Sequence, residues 1–232
     1  MRKILCAILS LTLCALPFFA TSEAVPDIQI AAHIETETKG DSFIQYAQAS
    51  GLADEVVQES LNALLKWFSI GAELDDDPEY AYETVEGVTQ FAIINDRYIS
   101  VRTDYFYNGA SLAHPWSRLA TLVFDLETGE PAGAVNDFIL VDEDLRIAIT
   151  DGTFTVTHPD AEFDGMMEVF AGDFVDQFDP ELFNTSFYLT DTSFGLLLGD
   201  RIHAEGDYWT IEATYESVWN LLTPKLTETL QR

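Results

Sequence analysis

Four histidines, His33, His114, His158 and His203, are the side chains here that best shuttle a proton near neutral pH or ligate a metal. None stands one helical turn from another, so the spacing of a zinc site is missing. His114 precedes Pro115 in a crowded loop, where its imidazole either meets a ligand or satisfies buried backbone groups around the turn. Asp75, Asp76 and Asp77, with Glu79 and Glu83 close behind, have the charge to attract calcium. The run lacks the alternating acids and central glycine of an EF-hand, which leaves a solvated acidic edge. With 40 Asp and Glu in the chain, two carboxylates will neighbour one another by chance, so no glycosidase pair can be argued. Serine-hydrolase, phosphate-loop and dinucleotide signatures are absent, and neither a cofactor nor a metal is expected. Asn184-Thr185-Ser186 matches a glycosylation sequon, a triplet that often arises by accident.

The aromatic residues offer a different chemistry, that of contact. Tyr105, Phe106, Tyr107 and Trp116 surround the loop at 107–116, and Tyr208 with Trp209 follow Gly206. Neighbours along a strand face opposite sides, so some of these rings are expected at the surface. Tyr107 and Trp116 are the first choices for a binding surface, because rigid rings beside loops supply contact area at small entropic cost. The candidate binding set is therefore Tyr107, His114, Trp116, Asp75, Asp76 and Asp77.

The segment at 99–130 must position most of these side chains. Ile99, Val101 and Thr103 share one face by the period-two rule, and so do Leu119, Thr121 and Val123, giving two half-buried strands around a Gly/His/Pro corner. Asp125 to Gly129 reads as a turn with glycine where φ is positive. Upstream, alternation at 28–35 predicts a first strand and 43–48 a second. From Asp54 the period changes: Val57, Leu61, Leu64, Leu65 and Phe68 predict a helix closed by Gly71. Strands over 88–94 and 97–107 flank an Asn95-Asp96 turn, making a three-stranded meander with the strand from Leu119. The stretch 136–149 fits a helix or, over 146–150, a strand. Residues 154–157 look extended, and 165–178 carry apolar residues at helical spacing. Strands at 186–189 and 194–198 form a hairpin across Asp191-Thr192, and 208–214 adds another. A short closing helix is expected over 215–222, ended by Pro224. Strands joined mostly by hairpins, with two or three packed helices, predict an α+β fold with an antiparallel sheet.

The run Ile99-Ser-Val-Arg-Thr-Asp-Tyr-Phe-Tyr-Asn-Gly109, with Ala113-His-Pro115, the Thr128-Gly129 turn and Asn136-Asp-Phe138, resembles the RsiV-like extracytoplasmic domain pair. That module occurs in a membrane-bound anti-sigma factor that senses lysozyme and in some peptidoglycan deacetylases. Tyr188-Leu-Thr-Asp191 and the segment from Tyr208 to about Leu222 resemble its end, and 40–62 its first half. The likeness runs from about Ile28 to about Leu222, with halves at 25–108 and 109–232. Here the compact Gly-Ala-His corner of the family is spread out between Gly109 and Pro115. The resemblance implies a non-catalytic binding module for lysozyme or another basic envelope protein. Its alternative implication is a peptidoglycan- or carbohydrate-binding module, or an accessory to a deacetylase.

Residues 1–24 begin with Arg2-Lys3, continue apolar and end in small residues, the pattern of a secretory signal cut after Ala24 or, alternatively, Ala20. No later apolar run approaches the roughly 20 residues that span a bilayer as a helix. An extracytoplasmic location, periplasmic or secreted, is therefore expected. Both cysteines, Cys6 and Cys14, lie within the signal, so the mature chain is expected to form no disulfide. Leu13 is large for the residue before a lipidated cysteine, which argues against Cys14 as an anchor. The net charge of -29, from 40 acidic and 11 basic residues, disfavours nucleic acid, whose phosphates draw affinity from Lys and Arg. The acidity reads either as solubility in salty surroundings or as attraction to a basic partner.

Overall fold

The computed structural model describes residues 29–71, 84–109, 115–158, 174, 178–181, 183–199 and 208–231. The first strand, β1 (Ala31–Lys39), turns at Gly40, where φ is +60°, and pairs in register with β2 (Ser42–Ser50). Helix α1 (Glu55–Ile70) starts at Asp54, whose carboxylate accepts the N–H groups of Val56 and Val57 at 2.8 and 3.3 Å. It ends at Gly71, as its sequence predicts. Leu61 and Leu65 are wholly buried against the sheet, each contributing about 1.5–3 kcal/mol of apolar burial.

The chain returns as β3 (Thr84–Ile94), which lies parallel to β2, so β2, α1 and β3 form a crossover unit. Its antiparallel partner β4 (Tyr98–Asn108) follows across Asn95 and Asp96, at φ 45° and 54°, the left-handed pair of a type I′ turn. Then β5 (Trp116–Asp125) pairs with β4 and completes a sheet of order β1-β2-β3-β4-β5. All its pairings except β2–β3 are antiparallel. After β5 the backbone folds back through Gly129, φ +74°, whose amide donates to Asp125 O at 2.8 Å.

Residues 143–150 form helix α2 (Glu143–Thr150), started by Asp142, so the helical alternative holds and the strand over 146–150 does not. Strands β6 (Thr155–Thr157), β7 (Ser186–Leu189), β8 (Ser193–Gly199) and β9 (Tyr208–Thr214) form a second, antiparallel sheet of order β6-β9-β8-β7. The end of the chain departs from expectation. Residues 215–222 are turns and a short 3-10 segment, and helix α3 (Pro224–Leu230) begins at Pro224. A proline at the first helical position loses no hydrogen bond and has its φ preset, so it starts this helix and does not stop one. The helix expected over 165–178 lies largely outside the described residues; Phe174, within it, is fully buried. Among the described residues, no helix is long and apolar enough to cross a membrane.

Two cores result. One lies between α1 and the first sheet, around Ala47, Leu61, Leu65, Ile99, Val101 and Phe124. The larger joins Ile94, Tyr98 and Val123 of the first sheet to Phe187, Phe194, Trp209 and Ile211 of the second, closed by α2 and α3. Strand β7 meets the first sheet at Ser100, whose hydroxyl accepts the Leu189 N–H at 2.8 Å.

Candidate functional site

Along β4, side chains alternate between the face beneath α1 and the opposite face, which carries Ser100, Arg102 and Asp104. The Ser100 contact with β7 divides that opposite face. On one side Tyr98 enters the larger core; on the other, Arg102 and Asp104 line a groove of about 720 Å3. The second sheet supplies the groove's other wall, and its strands show why. Phe187, Leu189, Phe194, Leu196, Trp209 and Ile211 point into the core, so Tyr188, Ser193, Gly195, Thr210 and Glu212 must point the other way.

Across that polar face, Tyr188, Gly195, Glu212 and Thr155 stand directly opposite one another in successive strands. Gly195 makes the row possible. A Cβ there would overlap the Tyr188 ring, which occupies the space glycine leaves and donates its hydroxyl to Glu212 Oε2 at 2.8 Å, two strands away. Ser193 donates to Glu212 Oε1 at 2.6 Å, so the carboxylate is held from both sides. Burial, and then the Glu212 charge, push the Tyr188 hydroxyl above its ordinary pKa, which keeps it a donor. Arg102 lies over the Tyr188 ring at 5.3 Å and donates from Nε to Gln90 Oε1 at 2.9 Å. Tyr208 reaches across from β9 and donates to Asp104 Oδ1 at 2.8 Å, tying the two sheets together beside the groove. Thr157 and Thr210 share a hydroxyl hydrogen bond further along, and His158 packs against Trp209 at 4.7 Å. The arrangement offers fixed acceptors, a guanidinium and several hydroxyls.

Of the residues proposed from sequence, Tyr107 alone has a described side chain, and it does not line this groove. Tyr107, selected as an exposed ring, is 1% exposed, stacked on Tyr105 at 6.0 Å in a cluster with Ile44 and Val85. The period-two rule places Tyr105 and Tyr107 on one face correctly, but that face is the one α1 covers, and Tyr105 donates to Ser69 O of α1 at 2.5 Å. Tyr107 is therefore a core residue. Asp75, Asp76, Asp77 and His114 lie outside the described residues, as does the side chain of Trp116, whose backbone begins β5.

Among the described residues the most exposed aromatic is Trp67, at 72%, ahead of Phe106 and Trp219 at 43% and 39%. With Val56, Ser60 and Ala63 it forms a solvent-facing stripe at helical spacing on α1, and Val56 is 74% exposed. Glu55 and Glu59 flank the stripe, while Lys66 pairs with Glu37 at 2.5 Å and so adds little positive field. The signal was in the sequence, since Trp67 falls outside the Val57-Leu61-Leu65-Phe68 face.

No protein-family model matches the chain, and no curated protein does. Among solved structures, the fold is similar to a crystal structure of a DUF3298 family member from Bacteroides fragilis. The TM-score is 0.51 at 14% identity, covering 89% of this chain and 98% of that chain. A DUF3298 family protein from Pseudomonas aeruginosa aligns at TM-score 0.40 and 11% identity, over 85% of this chain and 94% of that one. The first likeness shows a shared fold; the second is too distant to add to it.

Proposed function

We propose that this chain is an extracytoplasmic binding module whose partner is a basic protein, lysozyme being the one that the RsiV-like resemblance implies. Trp67 is the observation that carries the reading. A tryptophan 72% exposed on a helix, in a stripe with Val56, Ser60 and Ala63 that Glu55 and Glu59 flank on one side, has the make-up of an interface anchor with an acidic border. The acidic run with Asp75, Asp76 and Asp77 follows in sequence just past the helix end, and the chain carries a net charge of -29. Such a field speeds encounter with a basic partner, and desolvated rings set how long the complex lasts. Cleavage of residues 1–24 belongs to the same reading, and the mass of the mature N-terminus checks it.

Association and dissociation rates of lysozyme on the immobilised domain test the proposal. Neutralising Asp75, Asp76 and Asp77 together should slow association and flatten its dependence on salt. Trp67→Ala should instead raise the dissociation rate roughly tenfold or more, as for a central aromatic anchor. Absence of lysozyme binding even at low salt would refute the partner. Binding with dissociation unchanged in Trp67→Ala would move the contact to another surface, with Trp116→Ala as the next variant.

A further inference from the structure

The groove between the sheets lies on the face of the first sheet opposite α1, so a ligand there would not compete with a protein docked on Trp67. Its volume of about 720 Å3 falls within the roughly 300–1,000 Å3 of small-molecule sites. We infer that this groove is a binding site for a neutral, polyhydroxylated ligand, a short oligosaccharide.

The charges select the class. Glu212 and Asp104 together outweigh Arg102 in the lining, within a chain already at -29, so an anion is repelled. A cation finds its natural seat taken, because the Arg102 guanidinium already lies over the Tyr188 ring at 5.3 Å, beside the carboxylate that the ring's hydroxyl bonds. Thr155, Thr157 and Thr210 are unsuited to an apolar guest. A sugar presents vicinal hydroxyls that both donate and accept, and the groove answers each role. Every carboxylate oxygen has two lone pairs, so Glu212 and Asp104 keep acceptor capacity after taking the Tyr188, Ser193 and Tyr208 protons. Arg102 donates beyond its bond to Gln90, and the threonine hydroxyls do either. Those same tyrosine and serine bonds hold both carboxylates in place before a ligand arrives, which lowers the entropy lost on binding.

The inference goes beyond the protein partner proposed above and does not depend on it. Calorimetric titration of the purified chain with cellotetraose and with chitotetraose tests it, with spermidine and citrate as charged comparators. At least one tetrasaccharide should bind with one-to-one stoichiometry while spermidine and citrate do not. Asp104→Asn, which removes charge from a partly exposed position, should weaken that binding roughly tenfold, the scale of one hydrogen bond to a charged group. Thr157→Val, at an exposed strand position, should weaken it less while leaving the fold intact. The inference is overturned if neither tetrasaccharide binds at millimolar concentration, if spermidine binds in their place, or if both folded variants bind as the parent does. Lysozyme rates measured on the same two variants should be unchanged, so this site and the Trp67 surface succeed or fail separately.

Discussion

The Tyr188 hydroxyl and that of Tyr215, which donates to Thr190 O at 2.8 Å, are both pushed above their ordinary pKa, by burial first and by neighbouring carboxylates next. A phenol whose pKa is higher folded than unfolded contributes stability that is complete below about 10 and lost as pH rises beyond that value. Alkaline unfolding should therefore bring these two phenols into ionisation in the same cooperative step as the loss of secondary structure. Tyrosinate absorbance followed beside circular dichroism checks this; ionisation of all tyrosines near pH 10 with the fold intact would contradict it. Gly195→Ala should destabilise by about 1–3 kcal/mol in denaturant, because the methyl meets the Tyr188 ring. On a Tyr188→Ala background the same methyl should cost less, a coupling that separates this clash from a general strand effect. Sequence alone marks Gly195 only as a weak point in a strand. Its role depends on Tyr188 and Glu212, which only strand register brings beside it.

The start of α1 was legible at Asp54, where the hydrophobic period changes, whereas the starts of α2 after Asp142 and of α3 at Pro224 were not. Asp54→Ala should cost about 1 kcal/mol in a denaturant melt and Asp54→Asn distinctly less, since an amide oxygen can still accept from Val56 and Val57. Equal losses would mean that charge at the helix start, and not the cap bond, carries the effect. The Asn95-Asp96 turn was equally readable, for these residue types tolerate left-handed backbone. Where an element's identity depends on what packs beside it, the pattern was insufficient. Ile147 and Ile149 would share a face in a strand, whereas the helix leaves Ile147 45% exposed and buries Ile149 completely. Pro224 was read as a stop because proline forbids a preceding turn of helix as readily as it begins a new one. Asp137 O, which accepts the Thr223 hydroxyl at 2.7 Å, and Phe138 O, which accepts the Thr223 N–H at 3.0 Å, fix where that helix starts.

Over the whole molecule, 40 acids against 11 bases leave many carboxylates facing one another through solvent. If this surface is tuned to salt, the denaturation midpoint should rise steadily with ionic strength as screening relieves the repulsion. A midpoint flat from low to high salt would favour the partner-seeking role of the charge. The first sheet also has a seam. Its hairpins, β1–β2 on one side and β3–β4–β5 on the other, are joined directly by the two parallel pairs Phe43 with Glu86 and Ile44 with Gly87. Beyond those pairs Ser42 and Gln45 side chains take over, accepting from the amides of Val85 and Thr89 at 2.9 and 3.2 Å. Each hairpin closes a short loop, whereas the seam must wait for α1 and the long connection after it to be drawn in. The sheet should therefore assemble as two locally knit panels that join late, and in hydrogen exchange short of full unfolding it should part along β2 and β3 before either panel opens.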